Sequence, residues 1–144
     1  MDPCDECGRS GYLNPALTVD AVALRGKGSE REVLLIRRRN EPWKGCWAFP
    51  GGFVDEGEDT ESAVLRELLE ECGIKGSVVD LIAVRGNPNR DPRGHIVTIF
   101  YRVKVEENSV PVAGDDAAHA EWVLLDKVEL DNMGADHAEI IRLL

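Results

Sequence analysis

The sequence predicts an α/β domain, with a few helices layered against a sheet. Three observations carry that prediction. Runs rich in β-branched residues recur along the chain between glycine, proline and asparagine breaks. Two segments with helical periodicity interrupt and close the series, a mixed order that favours an α/β layered domain. The 144 residues, 43% hydrophobic and 31% charged, suit one soluble domain with a single sizeable core.

Taken in order, residues 1–15 read as an irregular leader ending at Pro15, and 16–144 as the domain proper. "ALTVDAVAL" (16–24) and "REVLLIRRR" (31–39) read as strands joined by the turn "GKGSE", which makes a hairpin. "NEPWKGC" is a loop, "WAF" a short extended piece, "PGG" a break, and "VDEGED" the rest of a loop leading to a helix. That helix runs from about Glu61 to Cys72, with Thr60 as N-cap, acids in its first turn and Gly73 as its stop. "SVVDLIAVRG" (77–86) is a strand, "NPNRDPRG" a polar loop, and "HIVTIFYRVKV" (95–105) a strand apolar on both faces and therefore central. "AEWVLLD" is a further strand, and "ADHAEIIRLL" (135–144) closes the chain as an amphipathic helix.

Composition excludes some classes of function. The net charge of −10 and pI of about 4.7 argue against a nucleic-acid-coating protein, which presents a basic face. "MDPCDECGRS" lacks the basic and apolar regions of an export signal, and no apolar stretch is long enough to span a bilayer, so a cytoplasmic location is expected. Cys4 and Cys7 form a C-x-x-C pair in the leader. A zinc site normally takes four ligands, and no second pair follows at a familiar spacing. A reduced pair without function is the first reading; a half-site completed by a partner chain is the alternative. Cys72 falls on an apolar helix face and is expected in the core.

The acidic stretch "RELLEE" (66–71) raises the question of function. Glu67, Glu70 and Glu71 fall within roughly 100° of helical arc, and like charges three and four residues apart repel. Val64, Leu65, Leu68, Leu69 and Cys72 occupy a different arc, so one face anchors the helix while the other presents carboxylates. Arg66 lies one turn before Glu70 and can pair with it but cannot neutralise all three. A solvated face is one explanation; a hard-cation site is the other, since carboxylate oxygens bind Mg²⁺ or Mn²⁺. The glycine-rich "FPGGFVDEGE" upstream favours the second, because Gly51 and Gly52 let backbone approach a metal or phosphate.

Gly52, five residues, Glu58, seven residues, then "RELLEECGI" resembles the full signature of the Nudix hydrolases. Gly52, Glu58, Arg66, Glu67, Glu70, Glu71 and Gly73 fill its fixed positions, with aliphatic Leu68 and Ile74. The resemblance implies an α/β/α sandwich around a mixed β-sheet, and Mg²⁺-dependent hydrolysis of a nucleoside diphosphate linked to another moiety. It implies Glu67, Glu70 and Glu71 as metal ligands, joined by the Gly52 carbonyl. Glu58 would support the loop, and Arg66 would orient a glutamate by a charge-assisted hydrogen bond. The general base is open: Glu70 on the helix, or Asp115, Asp116 and Glu121 around "GDDAAHAEW".

"NPNRDPRGH" (87–95) bears on the substrate. Pro88, fifteen residues beyond Gly73, resembles a mark of the short ADP-ribose pyrophosphatases of the family, and the resemblance runs from about residue 14 to the end. Arg90 and Arg93 suit a terminal ribose phosphate, because guanidinium matches phosphate oxygens in a fork. In "RRR" (37–39), strand alternation sends Arg38 to the face opposite Arg37 and Arg39. The resemblance, which has a basic residue at this position, implies Arg38 as the phosphate contact, a surface charge run being the alternative. Trp43, Trp47, Phe49 and Tyr101 are the aromatics able to stack on adenine, with none singled out; His95 and His119 read as strand-end residues. The expectation is hydrolysis of ADP-ribose to AMP and ribose 5-phosphate by a homodimer, the dimer resting on the family alone. A nucleoside triphosphate pyrophosphatase clearing oxidised purines is one alternative. A non-catalytic ADP-ribose sensor is the other, disfavoured because all signature residues are kept and no DNA-binding segment follows.

Overall fold

The computed structural model describes residues 13–144. The C-x-x-C pair of Cys4 and Cys7 therefore lies outside the described residues. Seven strands and two helices follow in the order β1 (Ala16–Arg25), β2 (Glu32–Arg38), β3 (Trp47–Ala48), β4 (Gly51–Phe53), α1 (Thr60–Cys72), β5 (Ser77–Arg85), β6 (Ile96–Lys104), β7 (Ala117–Leu124) and α2 (His137–Ile141). The sheet is mixed and runs β3-β2-β1-β6-β5, with β4 paired to β1 and β7 to β2. β6 lies between β1, its parallel partner, and β5, so the strand expected to be central is internal.

Alternation along β1 sets the layers. Val19, Ala21 and Ala23 pack with Ala63, Val64, Leu68 and Cys72 of α1, whereas Val22 packs with Phe100 and with Ile140 and Ile141 of α2. The two clusters make an α/β fold with apolar layers on both sheet faces. Each fully buried leucine such as Leu68 adds about 1.5–3 kcal/mol by leaving water. Among the described residues, no helix is long and apolar enough to cross a membrane.

Four expectations need correction. The hairpin of β1 and β2 is paired only at Leu24↔Val33 and Arg25↔Glu32. Beyond that point the two strands part, and β4 takes the vacated edge of β1 at Thr18↔Phe53, Val19↔Gly52 and Asp20↔Gly51. The "PGG" break is therefore followed by strand, and the glycines are what allow it: a Cβ on Gly51 would collide with Asp20 Oδ1 and the Val19 carbonyl. Thr60 is not the N-cap of α1. Asp59 holds that position in extended conformation, while Thr60 is the first helical residue and shares a 2.7 Å hydrogen bond with the Tyr101 hydroxyl. Gly73 ends α1 with φ 66°, as a left-handed C-terminal glycine does. The closing helix, expected over 135–144, is only His137–Ile141. The chain enters it from a turn in which Ala135 has φ 47°, and leaves it through tight turns at Leu143 and Leu144.

Candidate active site

The pairing of β4 with β1 brings the glycine segment beside α1, and a cavity of about 260 Å³ opens there, between the sheet and the 87–95 loop. Glu67, Glu71, Asp20 and Asp116 line it together with Arg38 and Arg93. The acidic face of α1 differs from its helical projection. Glu71 is turned inward and only 2% exposed, while Leu69, projected onto the apolar face, is 45% exposed. The reason is local. Glycines at 51 and 52 leave space in front of α1, and the Gly51 N–H donates to Glu71 Oε1 at 3.1 Å.

Arg66 organises the outer carboxylates. Its guanidinium donates to Glu58 at 2.6 and 2.9 Å, to Glu67 at 2.9 Å, to Glu70 at 3.1 Å and to the Phe53 carbonyl at 3.1 Å. The Asp55 N–H adds a 3.0 Å hydrogen bond to Glu58. Arg66 and then this N–H pull the Glu58 carboxyl down to about 2, and Glu58 in turn raises the affinity of Arg66 for its proton. Charge-assisted hydrogen bonds of this kind answer the repulsion among Glu58, Glu67 and Glu70.

Glu71 receives no such help. Burial, followed by the neighbouring charges of Glu67, Asp20 and Asp116, pushes its carboxyl up to about 9 despite the hydrogen bond from Gly51. Burial likewise raises Glu67 against the pull of Arg66. Among the described residues, no three acidic, histidine or cysteine side chains already converge on one point as a ligand cluster. The donors nevertheless suit a hard divalent cation: a buried carboxyl with acidic neighbours is what such an ion relieves. Backbone also comes close, since a Cβ on Gly52 would lie 2.6 Å from the Glu67 carboxyl.

The other predicted residues divide. Arg38 lines the cavity and donates to the Pro42 carbonyl at 2.7 Å, whereas Arg37 lies over the Trp47 ring and Arg39 bonds the Ala117 carbonyl. Arg93 lines it too, forked onto Asp91 at 2.8 and 3.0 Å with its guanidinium 5.4 Å from the Phe53 ring centre. Arg90 borders the cavity, but its guanidinium is 5% exposed and engaged by Asp136 at 2.6 and 2.9 Å and by Thr98 at 2.7 Å. This corrects the expectation of an open phosphate fork. Pro88 is exposed and does not line the cavity, a second correction. Of the candidate bases, Asp116 lines the cavity, Glu70 is exposed on α1 and paired with Arg66 without lining it, and Glu121 pairs with His119 elsewhere on β7. Asp115 adds its charge to the field at Glu67. His95 bonds the Gly86 carbonyl.

Of the aromatics named from sequence, Trp43 alone both lines the cavity and is partly exposed; it carries φ 59°, a strained value for a bulky residue. Phe49 is also at the cavity but 2% exposed, Trp47 is in the core, and Tyr101 is held by Thr60. Phe53 was not named, yet it lines the cavity and is 45% exposed. Sequence reasoning also missed Asp20, Asp136 and His137. The signal for Asp20 was present, as an acid in the middle of the apolar strand "ALTVDAVAL".

A mixed sheet with apolar layers on both faces, and an inward carboxylate helix set behind a double glycine, define an α/β domain with an acidic cavity suited to a divalent cation. The NUDIX domain model matches residues 14–144, so the chain belongs to the Nudix family, and it is a Nudix pyrophosphohydrolase. It is 43% identical over 131 residues to an ADP-ribose pyrophosphatase of Methanocaldococcus jannaschii, covering 91% of this chain and 73% of that protein. An ADPR-responsive transcriptional repressor, NtrR, of Acinetobacter baylyi is 34% identical over 136 residues, which cover 93% of this chain and 54% of the repressor. The NUDIX domain of Shewanella oneidensis NrtR, solved in complex with ADP ribose, superposes with a TM-score of 0.82 at 32% identity, covering 92% of this chain and 87% of that domain.

Proposed function

We propose that the protein hydrolyses ADP-ribose to AMP and ribose 5-phosphate with Mg²⁺ or Mn²⁺ bound at α1. The observation that carries this reading is one cavity lined by two unlike sets of groups: Glu67, Glu71 and the double glycine, and Arg38, Arg93 and Trp43. A dinucleotide-like substrate needs both: carboxylates that take a cation for the diphosphate, and basic and aromatic groups for what flanks it. The identity with the Methanocaldococcus pyrophosphatase supports the choice of ADP-ribose.

Glu67, Glu70 and Glu71, with the Gly52 carbonyl, would hold the ion; when bound, it offsets diphosphate charge and lowers the pKa of water. Arg66 keeps Glu67 and Glu70 oriented through its fork and is itself fixed by Glu58. Asp116 and Glu70 are the groups for proton removal from the attacking water, both on the carboxylate side. Arg38 and Arg93 contact phosphate oxygens, and Trp43 offers a face to adenine. The protein acts in the cytoplasm as a homodimer; edge strand β5 supports the dimer, with Val79, Leu81 and Val84 exposed.

The test offers purified protein ADP-ribose, NADH, diadenosine polyphosphates and nucleoside triphosphates with Mg²⁺, and follows phosphate released by a coupled phosphatase. ADP-ribose should turn over fastest. Faster turnover of triphosphates would sink the substrate assignment. Binding of ADP-ribose without turnover would make the protein a sensor, as the relation to the NtrR repressor allows.

A further inference from the structure

Gly134, Ala135 and His137 line the cavity, and the segment Met133–His137 that carries them is bonded both to the 87–95 loop and to the stretch leading into the double glycine. Met133 forms a parallel bridge with Trp47, and the Gly134 N–H donates to the Trp47 carbonyl at 2.9 Å. The next two polar side chains then diverge. Asp136 takes the buried Arg90 fork, and Arg90 also holds Thr98 and the Ile96 carbonyl, so this pair fixes the 87–95 loop. His137 Nδ1 accepts the Phe49 N–H at 3.2 Å. The ring proton is thereby assigned to Nε2, which faces Asp20 Oδ2 at 3.2 Å. Phe49 and Phe100 pack on the imidazole with ring centres at 5.2 and 5.4 Å and fix its rotamer.

Phe49 opens the segment that carries the double glycine. The Pro50 carbonyl accepts from Ala21 N–H at 2.8 Å, and Gly51 N–H donates to Glu71. A histidine that fixes Phe49 N–H thus acts two residues away on the backbone that faces Glu71 and Glu67.

We propose that Asp136 and His137 form a two-residue bracket: Asp136 positions the substrate loop through Arg90, and His137 positions the metal-side glycine segment through Phe49 and Asp20. Both are positioning residues for the reaction proposed above, and the inference rests on that reading of the cavity. The observation specific to it is that adjacent residues hold two different segments, the 87–95 loop and the glycine segment, so their loss should separate two properties.

The experiment compares His137→Phe, His137→Asn and Asp136→Asn with the parent protein. Mn²⁺ binding is titrated by the electron paramagnetic resonance of free Mn²⁺, and KM and kcat are measured on ADP-ribose. His137→Phe keeps a packed ring but leaves Phe49 N–H without its acceptor; Mn²⁺ affinity should fall about tenfold or more, as for other residues that orient ligands. His137→Asn, whose Oδ1 can accept the same N–H, should recover part of that loss. Asp136→Asn should raise KM about tenfold with Mn²⁺ affinity within about twofold of the parent. Unchanged Mn²⁺ binding in a folded His137→Phe, or equal effects of both substitutions on both properties, would overturn the bracket. Should His137→Phe fail to fold, the His137→Asn titration and the Asp136→Asn split decide. The Mn²⁺ arm uses no substrate, so a parent protein inactive on ADP-ribose would refute the substrate assignment and leave the metal-side half still decided.

Discussion

Glu71 offers the sharpest test of how the site is built, because one substitution should improve the fold and destroy the function. In the metal-free protein its carboxyl is held at about 9, against an ordinary 4.5, by burial and then by acidic neighbours. The folded chain keeps this proton where the unfolded chain has lost it. The contribution to stability is therefore full below about pH 4.5 and is lost progressively as pH rises to about 9. At about 1.4 kcal/mol per tenfold in proton affinity, the ceiling of that loss is about 6 kcal/mol. Relaxation and water entry reduce such penalties, and a fall of about 2–3 kcal/mol between about pH 5.5 and about pH 8.5 is expected. Urea unfolding of the metal-free protein should show it as a drop in midpoint of about 1 M or more. Glu71→Gln keeps an acceptor for Gly51 N–H and has no charge to lose. Its stability should change less over the same range and exceed the parent's at the alkaline end. Glu67, also raised, titrates in both proteins, so the difference between them reports Glu71 together with its coupling to Glu67. Saturating Mg²⁺, at about a hundred times its dissociation constant, should restore about 2.7 kcal/mol to the parent and much less to the variant. Equal pH slopes in parent and variant, or a variant less stable than the parent at alkaline pH, would refute the account of Glu71 as an uncompensated buried acid.

Other perturbations reach different parts of the site. Arg66→Lys keeps the charge but not the fork that reaches Glu58, Glu67, Glu70 and the Phe53 carbonyl; kcat should fall about a hundredfold with a normal circular dichroism spectrum. Gly52→Ala forces a methyl against the Glu67 carboxyl, so kcat should drop at least about tenfold, and crystallographic displacement of Glu67 would confirm the cause. Trp43→Ala should raise KM for ADP-ribose about tenfold with kcat nearly unchanged, since base stacking on an aromatic is worth about 1–3 kcal/mol; an unchanged KM would remove Trp43 from the adenine site. Leu81→Lys on edge strand β5 tests the proposed dimer: sedimentation velocity should show a dimeric parent and a monomeric variant, and a monomeric parent or an unaffected dimer would refute an interface at β5.

Local pattern made most of the elements legible in the sequence. The strands at β1, β2, β5 and β6 are set by β-branched runs between turn residues, and α1 by its periodicity and Gly73. What pattern missed depends on partners far along the chain. The parting of β1 from β2 requires β4 as a substitute partner, and β4 contains two glycines that no propensity assigns to a strand. The inward turn of Glu71 is likewise tertiary: a helical wheel places it with Glu67 and Glu70, but the space left by the glycine segment draws it in. A guanidinium in a polar loop suits a phosphate fork, but the partner Arg90 takes, Asp136, is 46 residues away and invisible to local pattern. The signature residues were legible as a set, whereas the division of labour among them required the fold.

That division answers the repulsion posed by "RELLEE". Arg66, together with the Asp55 N–H, satisfies the outer acids Glu58, Glu67 and Glu70, and it does so from the same helix turn that carries two of them. On the inner side, Glu71 faces Glu67, Asp20 and Asp116 with a single backbone N–H donor. A buried acid in that position destabilises the fold unless it stays protonated or meets a cation. Moving Arg66 inward would cure this but fill the cavity that a diphosphate must enter. The chain's own cation serves the rim, and the interior charge of Glu71 would be offset by a divalent ion, which Glu67 and Glu71 would help to hold. On this view the instability at Glu71 and the proposed reaction have one cause. A positive charge in place of Glu71, as in Glu71→Lys, meets Glu67, Asp20 and Asp116 and should make the metal-free protein more stable than the parent at alkaline pH, while abolishing Mn²⁺ binding. If Mn²⁺ still bound such a folded variant at parent affinity, the ion would have to sit away from Glu67 and Glu71.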